Sequence, residues 1–403
     1  MSQSAGFLAR VVRFRGHTPA TVAYYVSYIA LGLSLAAMGP NLARLAEQTG
    51  SLLSEISYLF TAMSSGYMVG AAVGGRLFDR FKGHPALAVM MVVIAALLAL
   101  VPLVGTLWML IVVTFLLGAV QSALDVGANT LLTWVHQDNL GPYMNALHFF
   151  FGVGAFLSPI LVARMEIAGG GILWTYWTLA LLMLPVAIWF ACVPSPPIRK
   201  APVEDRGDTD RLLILLILVA FFLTVGVEVG FAGWIYTYAL SLDLETTTSA
   251  AYLTSAFWGS FTVGRLVGIP IASRYRPQSI LVGDLLGCVL SVGVILLFPA
   301  SRVVLWIGAA GLGFSLASIF ATLLSLAGEY LHMSGKITGW FFVGTSSGAM
   351  LVPWIIGQFF ESRGAGVTMV VLMASLVLGL ATVVMIMGYA KRLGRIAEGK
   401  TAA

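Results

Sequence analysis

The chain of 403 residues is 59% hydrophobic and only 10% charged, whereas soluble globular proteins are roughly 45–50% apolar and about 25% charged. This composition excludes a soluble enzyme. Its 22 Lys and Arg residues exceed its 17 Asp and Glu residues and leave a net charge of +5, an excess that a nucleic-acid-binding protein would cluster on one soluble face. Here the basic residues lie between hydrophobic segments, so we expect a membrane protein without a nucleic-acid partner.

Twelve segments are long and apolar enough to cross a bilayer, which takes about 20 residues of helix. They predict an all-α membrane protein whose twelve transmembrane helices form two pseudo-symmetric six-helix bundles. The first bundle is expected over residues 1–194, a polar cytoplasmic linker over 195–210 and the second bundle over 211–403. The segments centre near residues 30, 66, 95, 120, 153, 182, 223, 260, 290, 315, 345 and 378.

The positions of the basic residues predict the orientation. Seventeen of them fall on the side of the membrane that holds both termini, four fall on the other side, and Arg265 lies within a span. Because cytoplasmic loops retain Lys and Arg, both termini should be cytoplasmic. We therefore expect a multi-pass protein of the cytoplasmic (inner) membrane, surrounded by the lipid bilayer and active as a monomer.

An internal repeat relates the two halves. Gly32 aligns with Gly226 and Gly154 aligns with Gly348, both at an offset of 194 residues. Parallel six-helix repeats place a solute site at their interface near the middle of the bilayer, and the halves rock to expose that site to either side. The repeat therefore predicts a transporter.

The loop after the second predicted helix carries a family motif. Residues 75–85 read Gly-Arg-Leu-Phe-Asp-Arg-Phe-Lys-Gly-His-Pro. This resembles the signature loop of the major facilitator superfamily, Gly-x-x-x-Asp-Arg-x-Gly-Arg-Arg/Lys, with Lys-Gly in place of the usual Gly-Arg. The resemblance implies a conformational latch at Gly75, Asp79 and Arg80, in which Asp79 meets a neighbouring helix end. The alternative is a tight basic turn.

The fourth span contains a polar stripe. Gln121, Asp125 and Asn129 are four residues apart and share one helix face. An ionisable residue in a span costs about 2.5–3.5 kcal/mol on insertion scales, so each is a candidate functional residue. We expect Asp125 to bind a coupled cation and the two amides to bind solute hydroxyls. The alternative is a structural hydrogen-bond network between helices.

Further candidates for solute binding lie in four other spans. Asn145 and His148 share a face of the fifth span, and because histidine in general titrates near neutral pH, His148 would relay a proton or donate to a solute. A packing role for His148 is the alternative. A polar and aromatic lining would be extended by Tyr28 in the first span, Trp258 in the eighth and Trp340 in the eleventh.

The seventh span has an acidic residue among glycines. Three glycines between Gly226 and Gly233 weaken the helix, and local unwinding would let Glu228 and Trp234 face one cavity. A carboxylate beside an aromatic ring suits a neutral sugar. We expect Glu228 to take part in cation coupling and Trp234 in solute binding, with an interfacial aromatic belt as the alternative for Trp234.

Arg265 in the eighth span needs a partner, because an unpaired charge at that depth is costly. We expect an ion pair with Asp284 or with Glu329 on the cytoplasmic side. These three residues would then belong to the gate or scaffold of the latch.

Three short stretches narrow the resemblance to particular sugar transporters within the superfamily. Residues 124–129 resemble the acidic-x-x-Ala-Asn stretch of fucose:proton symporters, while residues 145–154 and 228–234 are similar to the sodium-dependent glucose transporter 1 group. The first helix lacks the acidic residue of the fucose symporters, which leaves Asp125 and Glu228 as the central carboxylates. The resemblance implies uptake of a monosaccharide-like solute with a co-transported proton or sodium ion and no other cofactor.

Two other functions remain open at this point, namely proton-coupled efflux of amphipathic drugs or lipids and a non-transporting membrane sensor. Enzymatic chemistry is not expected. Residues 394–401 spell the phosphate-loop pattern, but an apolar span precedes them where that pattern requires a strand.

Overall fold

The computed structural model describes the backbone of residues 2–78, 80–136, 140–198, 210–331 and 335–401. Most of the predicted linker, residues 199–209, lies outside these ranges. Within them the chain forms helices and no strand. The helices are α1 (Ser2–Ala36), α2 (Met38–Thr49), α3 (Leu53–Ile56), α4 (Tyr58–Phe78), α5 (Gly83–Leu100), α6 (Leu107–Val135), α7 (Leu140–Ile167), α8 (Gly171–Cys192), α9 (Arg211–Ser241), α10 (Thr247–Ala272), α11 (Pro277–Leu297), α12 (Arg302–Leu316), α13 (Ile319–Tyr330), α14 (Gly335–Arg363) and α15 (Val367–Thr401).

The predicted membrane helices are present. Eleven helical segments of the described chain are long and apolar enough to span a membrane. The twelfth is α10, whose 26 residues reach about 39 Å at 1.5 Å per residue but include Arg265 and several Ser and Thr residues. Short breaks separate α1 from α2, α3 from α4 and α12 from α13. The prediction of an all-α membrane protein is confirmed.

Equivalent helices pack together in each half of the chain. In the first half α1 packs on α7, α4 on α6 and α5 on α8. In the second half α9 packs on α14, α10 on α12 and α11 on α15. These are the same three pairings shifted by six spans, as the repeat at 194 residues predicts.

Two repeat-related glycines allow close packing in one pairing of each half. A Cβ atom on Gly154 of α7 would collide with the backbone carbonyl of Ile29 on α1, and one on Gly348 of α14 would collide with the carbonyl of Phe222 on α9. Small residues at such positions let helix backbones approach closely in a membrane. Each half is therefore held together by backbone-to-backbone packing.

The two halves meet at the end of the molecule opposite the chain termini. There the Glu361 carboxylate of α14 accepts hydrogen bonds from Leu53 N at 3.0 Å and from Ser54 Oγ at 3.3 Å, at the start of α3. Gln358 Nε2 donates to the Ser54 carbonyl at 2.7 Å. Because α2 also packs on α9, the structure is closed at this end.

Candidate solute and cation site

A cavity of about 290 Å³ lies between the two halves. Its walls come from α1, α2, α4 and α7 of the first half and from α9, α10 and α14 of the second. The aromatic side chains that line it are Phe60, Tyr67, Phe151 and Trp258, and the other polar ones are Ser64, Glu228, Thr345 and Ser346. The cavity therefore combines a mostly apolar wall with a few hydrogen-bonding groups, as small-molecule sites do.

Asp125 lies at the centre of a hydrogen-bond network inside the first half. Its Oδ1 atom accepts from the Tyr28 hydroxyl and, at 2.9 Å, from Asn129 Nδ2. Its Oδ2 atom accepts from the Tyr67 hydroxyl at 2.5 Å. Asn129 also donates to the Tyr28 hydroxyl. Three helices thus hold one carboxylate.

Gln121 shares the face of α6 but not the network. Its side chain is fully buried, and its Nε2 atom donates to Ser34 Oγ on α1 at 2.6 Å. It lies one turn from Asp125 and contributes to the packing of α6 on α1. The structure therefore brings two of the three residues of the predicted stripe together and leaves Gln121 away from the cavity.

Glu228 lines the cavity directly. Among the described residues it has no hydrogen-bond partner and forms no salt bridge, although it interacts electrostatically with Arg265 on α10. A half-buried carboxylate with free acceptor atoms can accept hydrogen bonds from a solute. Glu228 is the acidic group that a solute in the cavity meets first.

The tryptophans separate into three environments. Trp258 lines the cavity, is 8% exposed, and its Nε1 atom has no partner among the described residues. Trp234 is fully buried, donates to the Pro353 carbonyl at 2.9 Å and stacks on Phe360 with 4.9 Å between ring centroids. Trp340 is 51% exposed. Of these three, only Trp258 lines the cavity, so only its ring can pack against a bound solute.

The expected unwinding that would bring Trp234 beside Glu228 is not found. The seventh span is one continuous helix, α9, from Arg211 to Ser241. Two residues six apart on a regular helix point in different directions, so Glu228 faces the cavity while Trp234 packs between Phe60 of α4 and Phe360 of α14. The prediction that Trp234 lines the site with Glu228 is wrong for this physical reason.

Arg265 has different partners from those expected. Its Nη1 atom donates to the His148 carbonyl on α7 at 3.1 Å, and its guanidinium lies 4.6 Å from the ring centroid of Phe261. Asp284 instead accepts from Ser318, and Glu329 accepts from Gln278 at 2.7 Å. The predicted ion pair is wrong because the side chain of Arg265 reaches across the boundary to α7, whereas Asp284 and Glu329 bind neighbours within the second half.

His148 and Asn145 lie on one face of α7 and are exposed. The His148 ring meets the Tyr28 ring edge-on, with 5.8 Å between centroids. This places His148 beside the Asp125 network and, through its carbonyl, beside Arg265. Asn145 is not among the residues that line the central cavity.

The signature loop is described only in part. Asp79 lies outside the described residues, while Gly75 and Arg80 are exposed. A Cβ on Gly75 would have nothing within 4 Å. The predicted latch stays a prediction.

Tyr67 is the functional candidate that the sequence analysis missed. It follows Phe60 and Ser64 at helical spacing, and all three line the cavity from α4. The i, i+4, i+7 pattern of aromatic, hydroxyl and phenol side chains was the available signal. It was obscured because most of the helix is apolar.

A cavity with a few hydrogen-bonding groups between two repeated helix bundles, closed at one end, is the arrangement of a membrane transporter that works by alternating access. Residues 24–353 match the model of the Major Facilitator Superfamily. The chain belongs to this superfamily, and the resemblance seen in its signature loop is confirmed.

Curated relatives support the narrower resemblance. The chain is 29% identical over 372 residues to sodium-dependent glucose transporter 1A of Mus musculus, covering 83% of this chain and 88% of the relative. It is 30% identical over 358 residues to sodium-dependent glucose transporter 1 of Xenopus laevis, covering 81% and 72%. It is 26% identical over 447 residues to major facilitator superfamily domain-containing protein 4A of Homo sapiens, covering 86% and 87%.

Solved structures share the fold. A point mutant of the nucleoside transporter NupG superposes with a TM-score of 0.76 at 13% identity, covering 90% of this chain and 98% of its own. A D-xylose-proton symporter superposes with a TM-score of 0.71 at 12% identity, covering 91% and 97%. At these identities the likeness concerns the fold alone.

Proposed function

We propose that the protein takes up a monosaccharide-like solute across the cytoplasmic membrane, coupled to a cation. The observation that carries this proposal is the free Glu228 carboxylate, which lines the same cavity as the aromatic ring of Trp258. Sugar hydroxyls donate hydrogen bonds to carboxylates, while sugar C–H faces pack on aromatic rings. The names of the mouse and frog relatives, which describe glucose transporters, agree with this choice.

The size of the cavity supports a small solute. Its volume of about 290 Å³ lies at the lower end of the roughly 300–1,000 Å³ of drug-sized pockets. An exporter of amphipathic drugs or lipids would need a larger apolar space. A carboxylate without a counter-ion in hydrogen-bonding contact is also costly to leave beside an apolar solute.

We assign the coupling ion to Asp125 and propose that it is a proton. All three partners of Asp125 donate hydrogen bonds to it, whereas hard metal cations are bound by several oxygen lone pairs. A carboxylate surrounded by hydroxyl and amide groups can exchange a proton with little rearrangement. Glu228 is the second candidate for coupling, because it carries the other central charge.

The proposed transport cycle follows from the closed end. With both termini in the cytoplasm, the contacts of Glu361 and Gln358 close the outer side, so this state releases solute inward. Rocking of the halves would break these contacts and open the cavity outward. We propose that one chain suffices, because the whole cavity is built within it.

Transport by proteoliposomes tests the proposal. Wild-type protein should exchange labelled D-glucose in counterflow and accumulate it when an inward proton gradient is applied. Asp125→Asn should keep counterflow and lose accumulation, since the neutral amide cannot carry the proton. Asp284→Asn, which removes a carboxylate bonded to Ser318 away from the cavity, should behave as wild type.

Three other results of this experiment would contradict the proposal. Accumulation driven by a sodium gradient alone would contradict proton coupling. Drug-dependent release of trapped protons without sugar counterflow would favour the exporter. Failure to move any solute would favour the membrane sensor.

A further inference from the structure

Tyr67 lies between Asp125 and the central cavity. Its hydroxyl donates to Asp125 Oδ2 at 2.5 Å, and its side chain lines the cavity. Of the other two donors, Tyr28 is only 1% exposed and Asn129 also donates to Tyr28. Tyr67 is therefore the member of the network that can touch both the carboxylate and a solute.

The charge state of Asp125 dictates the direction of the Tyr67 hydrogen bond. A carboxylate only accepts hydrogen bonds, so the Tyr67 hydrogen points at Oδ2. A carboxylic acid gains one O–H donor, and because Oδ1 already accepts from Tyr28 and Asn129, the added proton belongs on Oδ2. That proton then donates to the Tyr67 oxygen, and the Tyr67 hydrogen turns toward the cavity.

We infer that Tyr67 is a positioning residue that becomes a hydrogen-bond donor to the solute when Asp125 binds a proton. The inference rests on the proposed function, because it needs Asp125 to exchange a proton during transport. Glu228 on the cavity wall only accepts while it is charged. A solute hydroxyl that donates to Glu228 can accept a hydrogen bond from Tyr67 only when Asp125 is protonated.

The groups around Asp125 are few. From the helices packed against α6, the titratable groups that face it are Tyr28 on α1, Tyr67 on α4 and His148 on α7. Arg265 reaches the same region from α10 through the His148 carbonyl. On α5, His84 is bonded to the Tyr24 hydroxyl at 2.7 Å and to the Val193 carbonyl at 3.0 Å, away from the network.

The first experiment needs no solute. Infrared difference spectra of the full-length protein in lipid vesicles, recorded between about pH 3 and pH 8 so that the ordinary range of an aspartate, about 3.9, is included, should show a carboxyl band and a tyrosine band that change together. Both should vanish in Asp125→Asn, and the tyrosine change should vanish in Tyr67→Phe. The matched control is Tyr24→Phe, which breaks a buried tyrosine hydrogen bond away from the cavity and should keep the tyrosine change.

The background variant His148→Gln removes the imidazole signal of the histidine beside the Asp125 network from these spectra. A tyrosine change that persists in Tyr67→Phe would overturn the inference. The infrared measurement uses no sugar, so it tests the role of Tyr67 even if the transported solute is not a sugar.

The second experiment measures the Kd for D-glucose at both ends of that pH range. One hydrogen bond between neutral groups corresponds to about a two- to tenfold change in Kd, so wild-type protein should bind that much more tightly at acidic pH. Tyr67→Phe should bind weakly and equally at both pH values. An unchanged pH dependence in Tyr67→Phe would overturn the inference.

Asp125→Asn gives a second test that does not depend on Tyr67→Phe folding. Tyr28 and Asn129 both donate to the Oδ1 position, so the amide oxygen must lie there and the NH₂ group must face Tyr67. The Tyr67 hydrogen is then held toward the cavity, and D-glucose should bind with the acidic affinity at both pH values. Weak binding at both would overturn the inference, whereas wild-type protein that binds no D-glucose would contradict the proposed function.

Discussion

The guanidinium of Arg265 on α10 donates a hydrogen bond to the backbone carbonyl of His148 on α7, 3.1 Å away. This bond crosses from one half of the chain to the other within the membrane. In the same interface a Cβ on Gly152 of α7 would collide with Thr262 of α10, so the two helices cross closely here. The pair α7 and α10 therefore has a fixed crossing point around which the halves can rock.

Replacing Arg265 should weaken this crossing. A hydrogen bond from a charged donor is worth about 1.5–3 kcal/mol, and because Arg265 is half-exposed we expect Arg265→Gln to lose about 1–2 kcal/mol of that. Thermal unfolding of the purified protein should show a lower Tm, and counterflow of D-glucose should slow. The control is Arg164→Gln, at an exposed position of α7, the helix that accepts the Arg265 hydrogen bond. It should change neither the Tm nor the rate of counterflow, and an equal loss in both variants would contradict a specific role for Arg265.

The two buried tryptophans should respond differently to the same substitution. Trp258→Phe reduces the aromatic wall of the cavity and should raise the KM for D-glucose by about two- to tenfold with little change in Tm. Trp234→Phe leaves the Pro353 carbonyl without its donor and should lower Tm by the equivalent of about 1–3 kcal/mol. Measuring KM and Tm for both variants checks the assignment, which fails if Trp234→Phe is the variant that affects KM alone.

The repeat-related glycines should tolerate no side chain. In Gly154→Ala the new methyl group meets the carbonyl of Ile29, and overpacking of this kind costs about 1–3 kcal/mol or more. Gly388→Ala on α15 has nothing within 4 Å of the new Cβ and should stabilise its helix by up to about 1 kcal/mol. Thermal unfolding of the two variants should therefore move in opposite directions.

Glu245 should make stability depend on pH. Burial opposes ionisation of its carboxyl, but hydrogen bonds from Ser249, Trp306 and Arg302 outweigh burial and lower its pKa. Because the pKa is lower in the folded state, the stabilisation is present above the unfolded value of about 4.3 and is lost as the pH falls through the folded value. Its carboxylate is only 1% exposed and lies 2.7 Å from Arg302 Nε.

The test is thermal unfolding of Glu245→Gln across the acidic range. At neutral pH the variant should be less stable than wild type by about 1–3 kcal/mol, and the difference should shrink below about pH 4. Glu47→Gln, which changes an exposed residue of α2, serves as the control. A difference that stays constant with pH would show that Glu245 contributes by packing alone.

The helices and their repeat were predictable from sequence because lipid leaves a spanning chain few alternatives. Every backbone polar group must be satisfied within the segment, so apolar length alone locates the spans. The equivalence of Gly154 and Gly348 was also visible, since an offset between two glycines needs no knowledge of their neighbours. The proximity of Asp125 and Asn129 followed from their spacing of four residues.

The site could be predicted only in part because it depends on how each helix is rotated about its axis. Gln121 shares a face with Asp125, yet one turn further along that face lies Ser34 of α1 rather than the cavity. The residue type does not distinguish Trp234 from Trp258, but only Trp258 lines the cavity. The partner of Arg265 is a backbone carbonyl, which no pattern of side chains reveals.

The unusual composition of α10 has a consequence for how the protein is made. This helix carries Arg265, and an arginine at mid-helix costs about 2.5–3.5 kcal/mol when a segment enters the bilayer alone. Insertion of α10 should therefore depend on α9, which precedes it by a loop of five residues, 242–246. Delivery of α9 and α10 as a hairpin sets the direction of every later span, so a defect in this one helix during synthesis would invert the remainder of the second half.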